Sequence, residues 1–124
     1  MTETVRTFPC FGSECTVIVR GSGSLGSSAQ AAALVEARLL ALHAQFTRFD
    51  PGSELSRVNA DRRVTVEVSP MMARFAEAAR VAAAASGGLV DATLASEIER
   101  AGYASHFDSE PVPLATALAL APPR

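Results

Sequence analysis

"TVRTFPCFGSECTVIVR", residues 4–20, decides the class of fold. Residues 4–8 and 16–20 carry β-branched and aromatic side chains, which suit a pleated surface, so both read as strand segments. Between them, "CFGSE" contains Gly12, a residue that accepts the positive φ of a tight turn. On one continuous strand Cys10 and Cys15 would fall on opposite faces; a turn at Gly12 changes that. They are the only 2 cysteines, and they read as reduced, partly buried thiols. A zinc site needs four ligands, and His43 and His106 are not at partner spacing.

Outward from the strands comes "GSGSLGSS", residues 21–28. It lacks the spacing of a glycine phosphate-binding fingerprint and any lysine, so it reads as a flexible connection. Residues 29–46 are helical in pattern. Ala32, Val35, Leu39, Leu42 and Phe46 recur at steps of three and four, Ser28 suits the N-cap, and His43 falls off the stripe into solvent.

The next stretch, "FTRFDPGSELSRVNA", residues 46–60, is long for a helix-to-strand connection, which usually takes about four to six residues. Asp50-Pro51-Gly52 signals a turn, and Ser53 can cap one helical turn through Arg57. Asn59 presents an amide, donor and acceptor together, which suits a flat polar heterocycle, and Phe49 offers a ring face for stacking. An ordinary capped loop with Phe49 in the core satisfies the same residues.

Residues 63–68, "RVTVEV", alternate apolar and polar and read as a third, half-buried strand. Ser69-Pro70 then opens a second long helix with Met72, Phe75, Ala79 and Ala82 or Ala83 on its inner face, stopped by the glycines at 87 and 88. Asp91 is placed to N-cap a helix from Ala92, a short helix is expected over residues 94–101, and residues 114–121 suit two further turns. The expected class is α+β: a small, mainly antiparallel sheet with two longer helices on one face. Three short strands are a thin floor for these helices, so the chain reads as an incomplete portion of a larger domain.

Composition narrows the function classes. The chain has 124 residues, 48% hydrophobic and 19% charged, with net charge -2. That suits one folded domain and builds no general basic field for nucleic acid or an anionic membrane. All 11 basic residues are Arg, which excludes lysine chemistry such as a Schiff base. No apolar run approaches the roughly 18 residues of a membrane span, and the first residues lack the pattern of a signal peptide. With Met1 as the start, the expectation is a cytoplasmic protein that meets a membrane only through its acceptor.

The ordered set "FTRFDPGSELSRVN", "SGGLVDATL" and "AGY" resembles the N-terminal part of the ApbE-type FAD:protein FMN transferases. The resemblance implies an enzyme that moves the FMN half of FAD onto a Ser or Thr hydroxyl of a target flavoprotein. FAD is then a substrate, Mg²⁺ is expected for the full family domain, and the partners are FAD and the flavoprotein acceptor. By position, the FAD contacts fall on Phe11, Phe49, Asn59, Leu89, Val90 and Asp91, with Thr93 beside them. Phe11 stands where the family carries a flexible methionine, and Phe49 where many members carry Tyr. "DAT" stands for the more usual "DPT", and Ala101 for a common Trp.

The family's metal ligands and its proposed catalytic His belong to a later region that this sequence does not carry. No catalytic residue and no metal ligand is therefore assigned. His106 and Asp108 are the only nearby candidates and read as a solvated loop. The expectation is residues 1–104 as the N-terminal portion of the transferase domain and residues 105–124 as a Pro/Ala-rich tail. Such a chain is expected to be inactive alone, as a truncated reading frame, a fragment, or one part of a split protein completed by another polypeptide. Two other readings compete: a non-catalytic flavin or nucleotide-binding module, and a structural fragment that needs a partner.

Overall fold

The residues on either side of Gly12 form a hairpin. Strands β1, Glu3–Cys10, and β2, Ser13–Arg20, pair antiparallel from Glu3↔Arg20 to Cys10↔Ser13. That register leaves a two-residue turn, Phe11-Gly12, with φ 55 and 74. Positive φ at both central positions matches the right-handed twist of the strands, and Gly12 supplies its share without strain. The turn also settles the cysteines. Cys15 pairs with Phe8, so Cys15, Phe8 and Cys10 share one face. Burial, then the neighbouring Cys15, push the Cys10 thiol up.

This computed structural model describes residues 1–105 and 113–120, and the chain divides into two compact units, Met1–Arg62 and Arg63–Arg124. In the first unit, helix α1, Ser28–Phe46, packs across the hairpin. Phe8, Cys10 and Ala32 are buried between them. The N-cap is Ser27, one residue before the expected Ser28. Ser27 Oγ accepts from Gln30 N–H at 3.3 Å, and Gln30 Oε1 accepts from Ser27 N–H at 2.9 Å, a reciprocal capping box. Ser28 is instead buried, 2.8 Å from the Thr4 hydroxyl. Arg6 and Glu36 form an ion pair across the same contact.

The Gly/Ser connection is more ordered than the sequence suggests. Gly23 and Gly26 exchange both backbone bonds, at 3.0 and 2.9 Å. A Cβ at Gly26 would run into Gln30 Oε1, the capping side chain, so glycine here protects the start of α1. Helix α2, Glu54–Ala60, follows and packs against α1.

In the second unit, residues 63–68 form no strand. The sheet has two strands among the described residues, and Val64 is fully exposed. Alternation specifies an extended segment with two faces, but a strand also needs a neighbour to pair with. Helix α3, Pro70–Ala85, starts as expected, with Ser69 Oγ accepting from Met72 N–H at 3.1 Å and Pro70 in the first turn. Met72 is buried, whereas Phe75, expected on the inner face, is exposed. Helices α4, Ala95–Arg100, and α5, Leu114–Leu120, lie within two residues of their expected bounds. The architecture is α+β: a small antiparallel sheet with helices.

Candidate functional site

The long linker after α1 is a built joint. Thr47 caps α1 through a backbone bond to His43 O. Asp50 Oδ1 accepts from Gly52 N–H at 2.7 Å, and Asp50 O accepts from Ser53 N–H at 3.1 Å, so Asp50-Pro51-Gly52 turns as its residues dictate. Ser53 then uses its hydroxyl twice. Its Oγ accepts from Ser56 N–H at 3.0 Å to cap α2, and donates to Thr47 O at 2.5 Å. Ser56 Oγ adds weaker bonds to Thr47 O and Arg48 O at 3.5 and 3.4 Å. Gln45 Nε2 donates to Glu54 Oε2 at 2.5 Å. The two serines of "SELS" therefore fasten α2 to the C-terminal end of α1.

Two of the expected contact residues, Phe11 and Phe49, lie at that end of α1, and a third, Asn59, is on α2. Phe11 sits at the hairpin tip and is 51% exposed. Its N–H donates to His43 Nδ1 at 3.1 Å, and the two rings meet edge-on at 5.6 Å. Phe49 lies three residues beyond α1 and is half-buried, with the Arg48 guanidinium 4.4 Å from its ring centre. Asn59 lies near the end of α2, about 9 Å along the helix from Ser53, and is exposed.

The other three belong to the second unit. Ser86 N–H donates to Ala82 O at 3.0 Å and Gly88 N–H to Ala83 O at 2.9 Å, with Gly87 and Gly88 at positive φ. These bonds satisfy the last carbonyls of α3 and turn the chain out of the helix. Leu89 and Val90 follow, and Leu89 is 91% exposed. Asp91 is not the cap expected for a helix from Ala92. The next helix starts at Ala95, and Asp91 Oδ1 accepts from Thr93 Oγ1 at 2.7 Å and Thr93 N–H at 2.8 Å. The Thr93 hydroxyl first, then its N–H, hold the Asp91 carboxyl below the usual carboxylate range. An Asp reaching two residues ahead makes a turn as readily as it caps a helix.

The chain from Phe11 onward matches a family model described as the ApbE family, over residues 11–123. The chain belongs to the ApbE family. Membership places it among the flavin-transferase-type proteins. No curated protein and no solved structure gives a significant match. For an ApbE protein, exposed Phe11, exposed Asn59 and half-buried Phe49 carry groups that can stack on or bond a heterocycle. A magnesium site is a different matter. No group of three or more His, Cys, Asp or Glu side chains is placed to hold a metal among the described residues. The described residues do not fit that ion. His106 and Asp108 lie outside the described residues.

Sequence reasoning missed His43. It was read as solvated, yet it is half-buried against the hairpin tip. The signal was present: His43 is four residues after Leu39 and three before Phe46, on the same stripe. No helix among the described residues is long and apolar enough to cross a membrane.

Proposed function

We propose that this ApbE chain supplies FAD-contacting residues of an FMN transferase acting on a cytoplasmic or membrane-associated flavoprotein. The family match over residues 11–123 carries the reading. In the first unit Phe11 and Phe49 offer ring faces and Asn59 an amide. In the second, Leu89, Val90 and Asp91 form the segment that the resemblance assigns to FAD. In the reaction, an acceptor Ser or Thr hydroxyl oxygen attacks the FMN phosphorus of FAD. The bond from that phosphorus to the bridging oxygen breaks, AMP leaves with the electron pair, and the hydroxyl proton passes to a base. Residues 1–104 take part by holding FAD. The metal and the catalytic base come from a completing polypeptide or region.

The test is a titration of the full chain with FAD, with and without Mg²⁺, followed by flavin fluorescence and calorimetry. Saturable binding is expected. Phe49→Ala should weaken it by about tenfold or more, since stacking on a base is worth about 1–3 kcal/mol. Asn59→Ala should weaken it by less. A folded chain that ignores FAD overturns the proposal. With metal and base supplied elsewhere, the chain alone should bind FAD with or without Mg²⁺ and transfer no FMN; no transfer even when the completing polypeptide or region is supplied favours the non-catalytic flavin-binding reading instead.

A further inference from the structure

We propose that His43 is a positioning residue for flavin binding, holding the Phe11 ring in place through the Phe11 N–H. The inference rests on reading Phe11 as a flavin contact. In a two-residue hairpin turn, the N–H of the first turn residue has no partner in the ladder. Here that donor is taken by His43 Nδ1 at 3.1 Å, from the last turn of α1. The same imidazole meets the Phe11 ring edge-on, at 66° between planes. Phe11 needs this support. At φ 55 it occupies backbone space that is costly for any residue with a Cβ, and such conformations persist where their surroundings hold them. His43 thus holds, from outside the hairpin, both the backbone N–H and the ring of an exposed aromatic group.

An acceptor Nδ1 must be unprotonated. An imidazolium donates from both nitrogens and cannot accept. Protonating His43 therefore removes the brace, and flavin affinity should fall with it. The charged and titratable groups on the elements packed against α1 are otherwise engaged or exposed. On β1, Glu3 pairs with Arg20 of β2, Arg6 pairs with Glu36, and the Cys10 thiol is held protonated by burial. On β2, Cys15 Sγ donates to Cys10 O at 3.6 Å, and Glu14 is exposed. On α2, Glu54 accepts from Gln45, and Arg57 is exposed.

The experiment follows the amide resonances of the full chain by NMR from about pH 8 to about pH 5, where an imidazole changes charge. FAD affinity is measured over the same range. The Phe11 amide is expected to shift with the midpoint of the His43 imidazole, and affinity to fall about threefold to tenfold across it, the range for one lost hydrogen bond. His43→Ala should lose the same factor at about pH 8. His43→Asn places an Oδ1 acceptor near the Nδ1 position without titrating, so it should retain affinity and abolish the pH step. A Phe11 amide indifferent to the His43 midpoint overturns the proposal, as does wild-type affinity in His43→Ala. If the wild-type chain ignores FAD at about pH 8, the flavin reading fails instead. The amide titration then decides by itself whether His43 holds the tip.

Discussion

The two units hold themselves together in different ways. In Met1–Arg62, side chains from different elements meet: Phe8 and Cys10 of the hairpin bury against Ala32 of α1, Thr4 bonds Ser28, and Ser53 bonds back to Thr47. In Arg63–Arg124, the helix ends and turns are closed locally: Ser69 caps α3, Ser86 and the glycines close it, and Thr93 bonds Asp91 two residues away. Met72 is the buried hydrophobic side chain there among the described residues, and Leu89, Val90 and Ile98 are exposed. The difference teaches that local rules suffice to shape a helix, whereas a core requires contacts that local rules do not specify.

Substitution at the two buried cores should break the comparison most sharply. Phe8→Ala is expected to cost about 3–5 kcal/mol, the range for a buried Phe. Met72→Ala should cost about 2 kcal/mol, at the low end for Met, because exposed neighbours can close around the gap. Urea midpoints read with hydrogen exchange in each unit decide this. Equal losses would show that the second unit is packed as tightly as the first.

A smaller effect separates the two serine caps. Ser53→Ala removes an N-cap and the bond to Thr47 O, and should cost about 2 kcal/mol; Ser69→Ala removes a cap and should cost about 1 kcal/mol. Exchange at Ser56 N–H and Met72 N–H reports each cap directly. If the two losses are equal, the Ser53 bond to Thr47 O adds nothing beyond the cap.

The smallest effect is a local titration. The Asp91 carboxylate is favoured in the folded chain, so its contribution is fully present above the unfolded value of about 3.9 and fades as pH falls through the lowered folded value. The Thr93 amide resonance should therefore move below about pH 4 while the first unit's resonances hold still. Coincident movement in both units would mean that this turn is coupled to the core.

The sequence reading fared best where structure is local. The hairpin, α1 and the Ser69-Pro70 start of α3 were legible because each depends on neighbours along the chain. Residues 63–68 were misread because pairing needs a distant strand that alternation cannot supply. Ser28 was one residue from the true cap, since two adjacent serines offer the same chemistry and only Gln30 selects Ser27. Exposure of Phe75 was equally illegible, because an apolar stripe names a face and not what covers it. As for the site, Phe49 and Asn59 suggested a heterocycle but fitted a plain loop as well. Nothing in the sequence around Phe11, Leu89 and Val90 marks a site, and the resemblance alone singled them out.

The two-residue turn at Phe11-Gly12 also has a consequence in time. Hairpins form in about 1–10 μs, while synthesis adds about 5–20 residues per second. A lone two-stranded hairpin is marginal in water, so β1 and β2 should zip and unzip many times before Ala32 emerges to pack against them. The helix that arrives does not build the hairpin; it ends a long rehearsal by arresting one of its states.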